Sequence, residues 1–112
     1  MARRLLHPGE VLREEFMDPL DISINGLARS LNVPVSRISA IVNEKRAISP
    51  DTALMLAKYF GTSAQFWVNL QTTYDLKKAE KETRRSVNKI VPYEETRISH
   101  KIHGTDKLTA SG

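Results

Sequence analysis

The stretch that decides the fold is "SINGLARSLNVPVSRISAIV", Ser23–Val42. Leu27, Ala28 and Leu31 recur at helical spacing, and so do Ile38, Ile41 and Val42. Between the two sets, "NVP" at Asn32–Pro34 reads as a turn, because asparagine tolerates left-handed backbone and proline can open a helix. Ser23 is a good N-cap for the first helix of the pair. Two helices joined by so short a turn form a helix-turn-helix. That geometry makes demands, and the residues meet them. Ala28 is small where the later helix must cross. Leu27, Leu31, Val33, Ile38 and Ile41 are apolar where they must hold the angle between the two helices.

Working outward, "HPGEVLREEFM" at His7–Met17 predicts a preceding helix, with His7 as a local cap, Pro8 near the start, and Val11, Leu12 and Phe16 as an apolar stripe. "DPLD" at Asp18–Asp21 should break it, since Pro19 disfavours helix at Asp18. Downstream, "NEKRAI" at Asn43–Ile48 reads as a loop. "SPDT" at Ser49–Thr52 then opens a fourth helix with a Ser cap, Pro at the first position and Asp in the first turn. That helix runs through Ala53, Leu54, Leu56, Ala57 and Phe60 and stops at Gly61. Ser63 caps a fifth, anchored by Phe66, Trp67 and Leu70, which extends toward Arg85 through opposite charges three or four residues apart. No strand pattern of useful length precedes Val87. The expected fold class is all-α: a five-helix helix-turn-helix domain over residues 7–85. Residues 86–112 are expected as a loosely structured basic C-terminal tail, with a short extended piece at "ETRISHKI" (Glu95–Ile102) and a disordered end.

Composition agrees with one compact helical domain: 112 residues, 40% of them hydrophobic. The absence of cysteine excludes disulfides and thiolate metal sites and fits a reducing cytoplasm. "MARRLL" is not followed by an apolar stretch, so no secretory signal is visible, and no run approaches the roughly 18 apolar residues of a membrane span. The net charge of +4 is misleading as a total, because phosphate binding needs local positive surface. Residues 1–76 carry 8 Lys/Arg against 8 Asp/Glu, whereas residues 77–112 carry 9 against 5. The neutral front half is itself polarised: Glu10–Asp21 is net −4 and Ile22–Ser49 is net +3.

If the third helix enters a DNA major groove, its outward residues face base edges. These are Val35, Ser36, Ser39, Ala40 and Asn43, with Arg37 alongside. Ser and Ala permit close approach. Val35 or Ala40 can touch a thymine methyl, Arg37 can reach guanine or phosphate, and Asn43 can reach adenine or the backbone. Lys45 and Arg46 fit phosphate contacts, as does the capped start of the second helix at Ser23. Two copies related by a two-fold axis would set their third helices roughly 34 Å apart, one DNA turn. The expected dimer interface lies on the fifth helix at Phe66, Trp67, Leu70 and Tyr74, although the same residues, with Tyr59 and Phe60, can instead close the monomer core. Other chemistries find little support. His100 and His103 are three apart but lack further ligands, so no metal site is expected. Glu14 and Glu15 point about 100° apart on a helix, a poor acid/base pair. No glycine-rich phosphate loop and no nucleophile with a partner base is visible, so neither a cofactor nor catalysis is expected.

Taken together, "HPGEVLREEFMDPLDIS" and "LNVPVSRISAIVNEKRAISPDTALMLAKYFGTSAQFWVNLQTTYDL" closely resemble the HigA-type antitoxins, or virulence-associated protein I-like regulators, of the lambda-repressor-like helix-turn-helix class. The resemblance covers about His7–Leu76. It implies a dimeric all-helical repressor that binds an operator at its own operon and restrains a HigB-type ribonuclease toxin. Carried over residue by residue, the family's groove-facing segment falls on Val35, Ser36, Arg37, Ser39, Ala40 and Asn43, and its basic pair on Lys45 and Arg46. The usual pattern has Gly before that pair, and here it is Glu44. A glycine would give a tight exit from the third helix. Glutamate adds a negative charge beside the expected phosphate contacts.

Overall fold

The computed structural model describes residues 5–95. Most of the extended piece expected from Glu95 onward, the pair His100 and His103, and the polar end lie outside the described residues. Among the described residues there is no strand. The elements are α1 (Pro8–Val11), which continues as a π-helical segment (Leu12–Met17), then α2 (Ile24–Leu31), α3 (Val35–Val42), α4 (Pro50–Phe60) and α5 (Ala64–Asn88). The chain divides into two compact units, Met1–Ala79 and Glu80–Gly112. The first unit holds the helix-turn-helix. In the second, described to residue 95, the helix ends in turns in which Lys89 N donates to Ser86 O and Ile90 N to Val87 O.

The helix starts are set by side-chain caps of the expected kind. His7 Nδ1 accepts from Gly9 N at 2.9 Å, Ser23 Oγ from Gly26 N at 2.9 Å and Ser63 Oγ from Phe66 N at 3.0 Å. Ser49 Oγ accepts from Thr52 N at 3.4 Å, and Pro50 occupies the first position of α4.

The first helix departs from expectation. Asp18 is helical (φ −61°, ψ −48°) although Pro19 follows it, and its N–H donates to Arg13 O at 2.8 Å, five residues back. The widened turn accommodates what an α-turn before proline resists, and places Leu12 and Met17 together in the core. The helix still breaks where expected: the π-helical segment stops at Met17, Asp18–Asp21 form a turn, and the backbone becomes left-handed at Asp21 (φ 55°).

The next three helices end in the same way. Asn32 (φ 59°), Glu44 (φ 62°) and Gly61 (φ 77°) follow α2, α3 and α4. At each of the four joints the next residue folds back to donate its N–H five residues upstream: Ile22 to Met17 O, Val33 to Ala28 O, Lys45 to Ala40 O and Thr62 to Ala57 O. This is the Schellman closure, which satisfies carbonyls that a helix end leaves unpaired.

The core of the first unit consists of Leu12, Met17, Leu27, Ala28, Ile38, Ile41, Val42, Ile48, Ala53, Leu56 and Trp67. Each large side chain buried there contributes roughly 1.5–3 kcal/mol. Phe16, Phe60 and Phe66 pack around Trp67, with ring centroids 4.9 Å (Phe16) and 5.0 Å (Phe66) away. The indole N–H of Trp67 donates to Thr62 Oγ1 at 2.8 Å, so its polar edge is satisfied where the ring is dry. Leu54 on α4 is exposed, and Tyr59 is also largely outside the core.

Candidate nucleic-acid interface

Helix α3 is held down by Ile38 and Ile41, both fully buried, and by Val42. With those residues facing inward, 100° per residue leaves Ser36, Ala40 and Asn43 pointing outward and Val35 and Ser39 flanking them. Val35, Ser36 and Asn43 are exposed, and Ser39 and Ala40 are half-buried. The face carries only short side chains. Asn43 Nδ2 donates to Ser39 Oγ at 3.3 Å, so the amide is already oriented before any ligand arrives. Lys45 and Arg46 are exposed in the loop that leaves α3, and Ser23 is exposed at the start of α2.

Arg37 sits differently from its expected neighbours. It is half-buried on the flank of α3, and one of its terminal nitrogens lies 3.9 Å from Asp51 Oδ2 in the first turn of α4. Asp51 is fixed by Ser49, whose hydroxyl donates to Asp51 Oδ1 at 2.6 Å. That hydrogen bond is the chief reason the Asp51 carboxyl is held below its ordinary range, with Arg37 adding to the effect. A pair of this length with its carboxylate in solvent contributes little to stability.

Two further residues shape the site. Gln71 falls on the buried stripe of α5, next to Trp67, yet is polar. Its Oε1 accepts from Ile48 N at 2.8 Å and its Nε2 donates to Asp75 Oδ1 at 2.9 Å. It therefore ties the basic loop to α5. Sequence reasoning passed over it, and the available signal was a glutamine on an otherwise apolar stripe. Gly9 is the second. A Cβ there would stand 2.8 Å from the carbonyl carbon of Ile41 and closer still to its oxygen. Only glycine lets α1 approach the back of α3 so closely.

The residues expected at a dimer interface separate into two groups. Trp67 is fully buried in the protomer's own core and has no surface to offer. Phe66, Leu70 and Tyr74 line an apolar groove with Leu6, Asn69, Thr73 and Lys77. Among the described residues no group of His, Asp and Glu is arranged to hold a metal ion, and no helix is long and apolar enough to cross a membrane.

Residues 12–67 match the family model described as helix-turn-helix. Virulence-associated protein I of Dichelobacter nodosus is 53% identical over 87 residues, 78% of this chain and 80% of that protein. Among solved structures, the antitoxin HigA of Pseudomonas aeruginosa with the higBA promoter superposes with a TM-score of 0.77 at 45% identity, covering 80% of this chain and 97% of that one. An addiction-module antidote protein of the HigA family from Coxiella burnetii superposes equally well, at 47% identity over 81% of this chain and all of that one. The chain belongs to the helix-turn-helix family, among the HigA antitoxins and virulence-associated protein I-like regulators.

Proposed function

We propose that this protein is a repressor that binds an operator at its own operon and serves as the antitoxin of a HigB-type ribonuclease toxin. The observation that carries the reading is the outward face of α3. It is free of bulky side chains, held rigidly by the core behind it, and followed at once by exposed Lys45 and Arg46. Solved relatives with the same fold were captured with promoter DNA, as in the Pseudomonas aeruginosa antitoxin. In this reading Val35, Ser36, Ser39, Ala40 and Asn43 meet base edges, while Ser23, Lys45 and Arg46 meet phosphate. The protein works in the cytoplasm by binding, without a catalytic step.

A single α3 reads only one half-site, so the operator reading calls for a homodimer. The groove lined by Phe66, Leu70 and Tyr74 is the surface we assign to the second copy, since half-exposed aromatic and aliphatic side chains in a concave patch suit an isologous contact. A gel shift on the DNA upstream of the gene, repeated across salt concentrations, tests the operator reading. A preference for that DNA over random sequence is expected, with affinity falling as salt rises. Equal binding to both would sink it. Pull-down of the product of an adjacent short open reading frame tests the antitoxin role.

A further inference from the structure

Resting on the operator reading, the geometry points to a division of labour within α3 that Asp51 enforces. We infer that Asp51 is a positioning residue: it draws the Arg37 guanidinium to the start of α4, so that Arg37 grips the DNA backbone and is kept off the base edges. Arg37 is the one long side chain on the exposed part of α3. It lies about 100° around the helix from Ser36, off the centre of the short-chain face formed by Ser36, Ala40 and Asn43. Its side chain is only 24% exposed, and it leans toward a carboxylate that belongs to another helix. Ser49 orients that carboxylate by donating to its other oxygen at 2.6 Å.

The pair is incomplete in an informative way. At 3.9 Å the Arg37–Asp51 contact is an ion pair without a hydrogen bond, and Arg37 Nε is buried with no hydrogen-bond partner. The guanidinium is thus oriented by charge; Nε is shut away from solvent, and the terminal nitrogens, which make no hydrogen bond to Asp51, are the donors a phosphate can reach. A phosphate oxygen at the rim of the groove would supply the acceptors that Asp51 does not. A guanine on the groove floor would require Arg37 to leave Asp51 and reach across the face of α3.

The test is binding of wild type, Arg37→Ala, Arg37→Lys, Asp51→Asn and the Arg37→Ala/Asp51→Asn double variant to operator and to random duplex across salt, with thermal unfolding of each to verify folding. Arg37→Ala should weaken both DNAs by the same factor and make the salt slope shallower by about one. Arg37→Lys should restore most of the binding to both, since a phosphate contact accepts a point charge where a two-pronged guanine contact does not. Asp51→Asn should change the operator-to-random ratio several-fold in the parent protein and leave it unchanged when Arg37 is absent. A loss of about tenfold or more on operator alone in Arg37→Ala would place Arg37 on a base and overturn the inference. So would an Arg37→Ala variant that binds as the parent does, or an Asp51→Asn effect that is nil or indifferent to Arg37. If the parent protein shows no operator preference, the operator reading falls first and this inference with it.

Discussion

Gly9 lies against the carbonyl of Ile41, so close that a methyl group on its α-carbon would overlap the oxygen. The neighbour is backbone and cannot rotate aside. Gly9→Ala should therefore prise α1 from α3 or shift α3 itself. A loss of about 3 kcal/mol is expected, at the upper end of overpacking costs, and a Tm lowered by roughly 10 °C or more. Thermal unfolding followed by circular dichroism measures it. A variant as stable as the parent would mean that the close approach does not persist in solution.

Glu44 occupies a left-handed position at the end of α3 that favours glycine. Glu44→Gly relieves about 1–2 kcal/mol of backbone strain and gives back about 0.4–1 kcal/mol through the freer unfolded chain. The net expectation is a gain of roughly 0.5–1 kcal/mol. The same change removes a negative charge beside Lys45 and Arg46, so binding to all DNA should tighten. Glu44→Ala separates the two effects: it should tighten DNA binding without the gain in stability. Denaturant melts and salt-dependent gel shifts on both variants check the pair of claims.

Gln71→Met keeps the volume and deletes the acceptor for the Ile48 N–H. A buried donor without a partner costs about 1–3 kcal/mol. Because Ile48 closes the loop that carries Lys45 and Arg46, DNA affinity should fall as well, and amide exchange at Ile48 should quicken. Unchanged exchange at Ile48 would show that another group takes the place of Gln71.

His7 caps α1 through a neutral Nδ1 and packs edge-on against Tyr74, with ring centroids 4.7 Å apart. Burial lowers its pKa, against the opposing pull of Glu44, Asp75 and Glu10. A protonated ring could not accept from Gly9 N. With a folded pKa below the unfolded value of about 6.5, the contribution of His7 to stability is complete above that pH. It is lost as pH falls toward the folded value. His7→Asn retains a capping oxygen and removes the titration. Its stability should be flatter than the parent's between pH 6.5 and the acid limb, as chemical melts at stepped pH would record.

The helix-turn-helix was legible because its signals are local. The apolar spacing of Leu27, Ala28, Ile38 and Ile41, the caps at Ser23 and Ser49, and the turn residues Asn32 and Gly61 each act within a few residues. What sequence did not reveal depends on partners far along the chain. Gly9 is explained by Ile41, Gln71 by Ile48, and the lean of Arg37 by Asp51. The helical Asp18 was hidden for a different reason: a local rule about proline was overridden by a five-residue hydrogen bond that buries Leu12 with Met17. Glu44 lies between the two cases. The departure from glycine was visible, but the left-handed backbone that makes it costly was not.

The four left-handed joints, at Asp21, Asn32, Glu44 and Gly61, close the helix ends between α1 and α5, and the longer Asn43–Ser49 loop is tied down further by Gln71. Each helix hands its last carbonyls to the first amide of the segment that follows, so the joints melt with the helices they terminate. A surface built this way meets its ligand already in shape. The entropy of arranging α3 against its neighbours is spent once, when the chain folds, and is not charged again at each encounter with DNA.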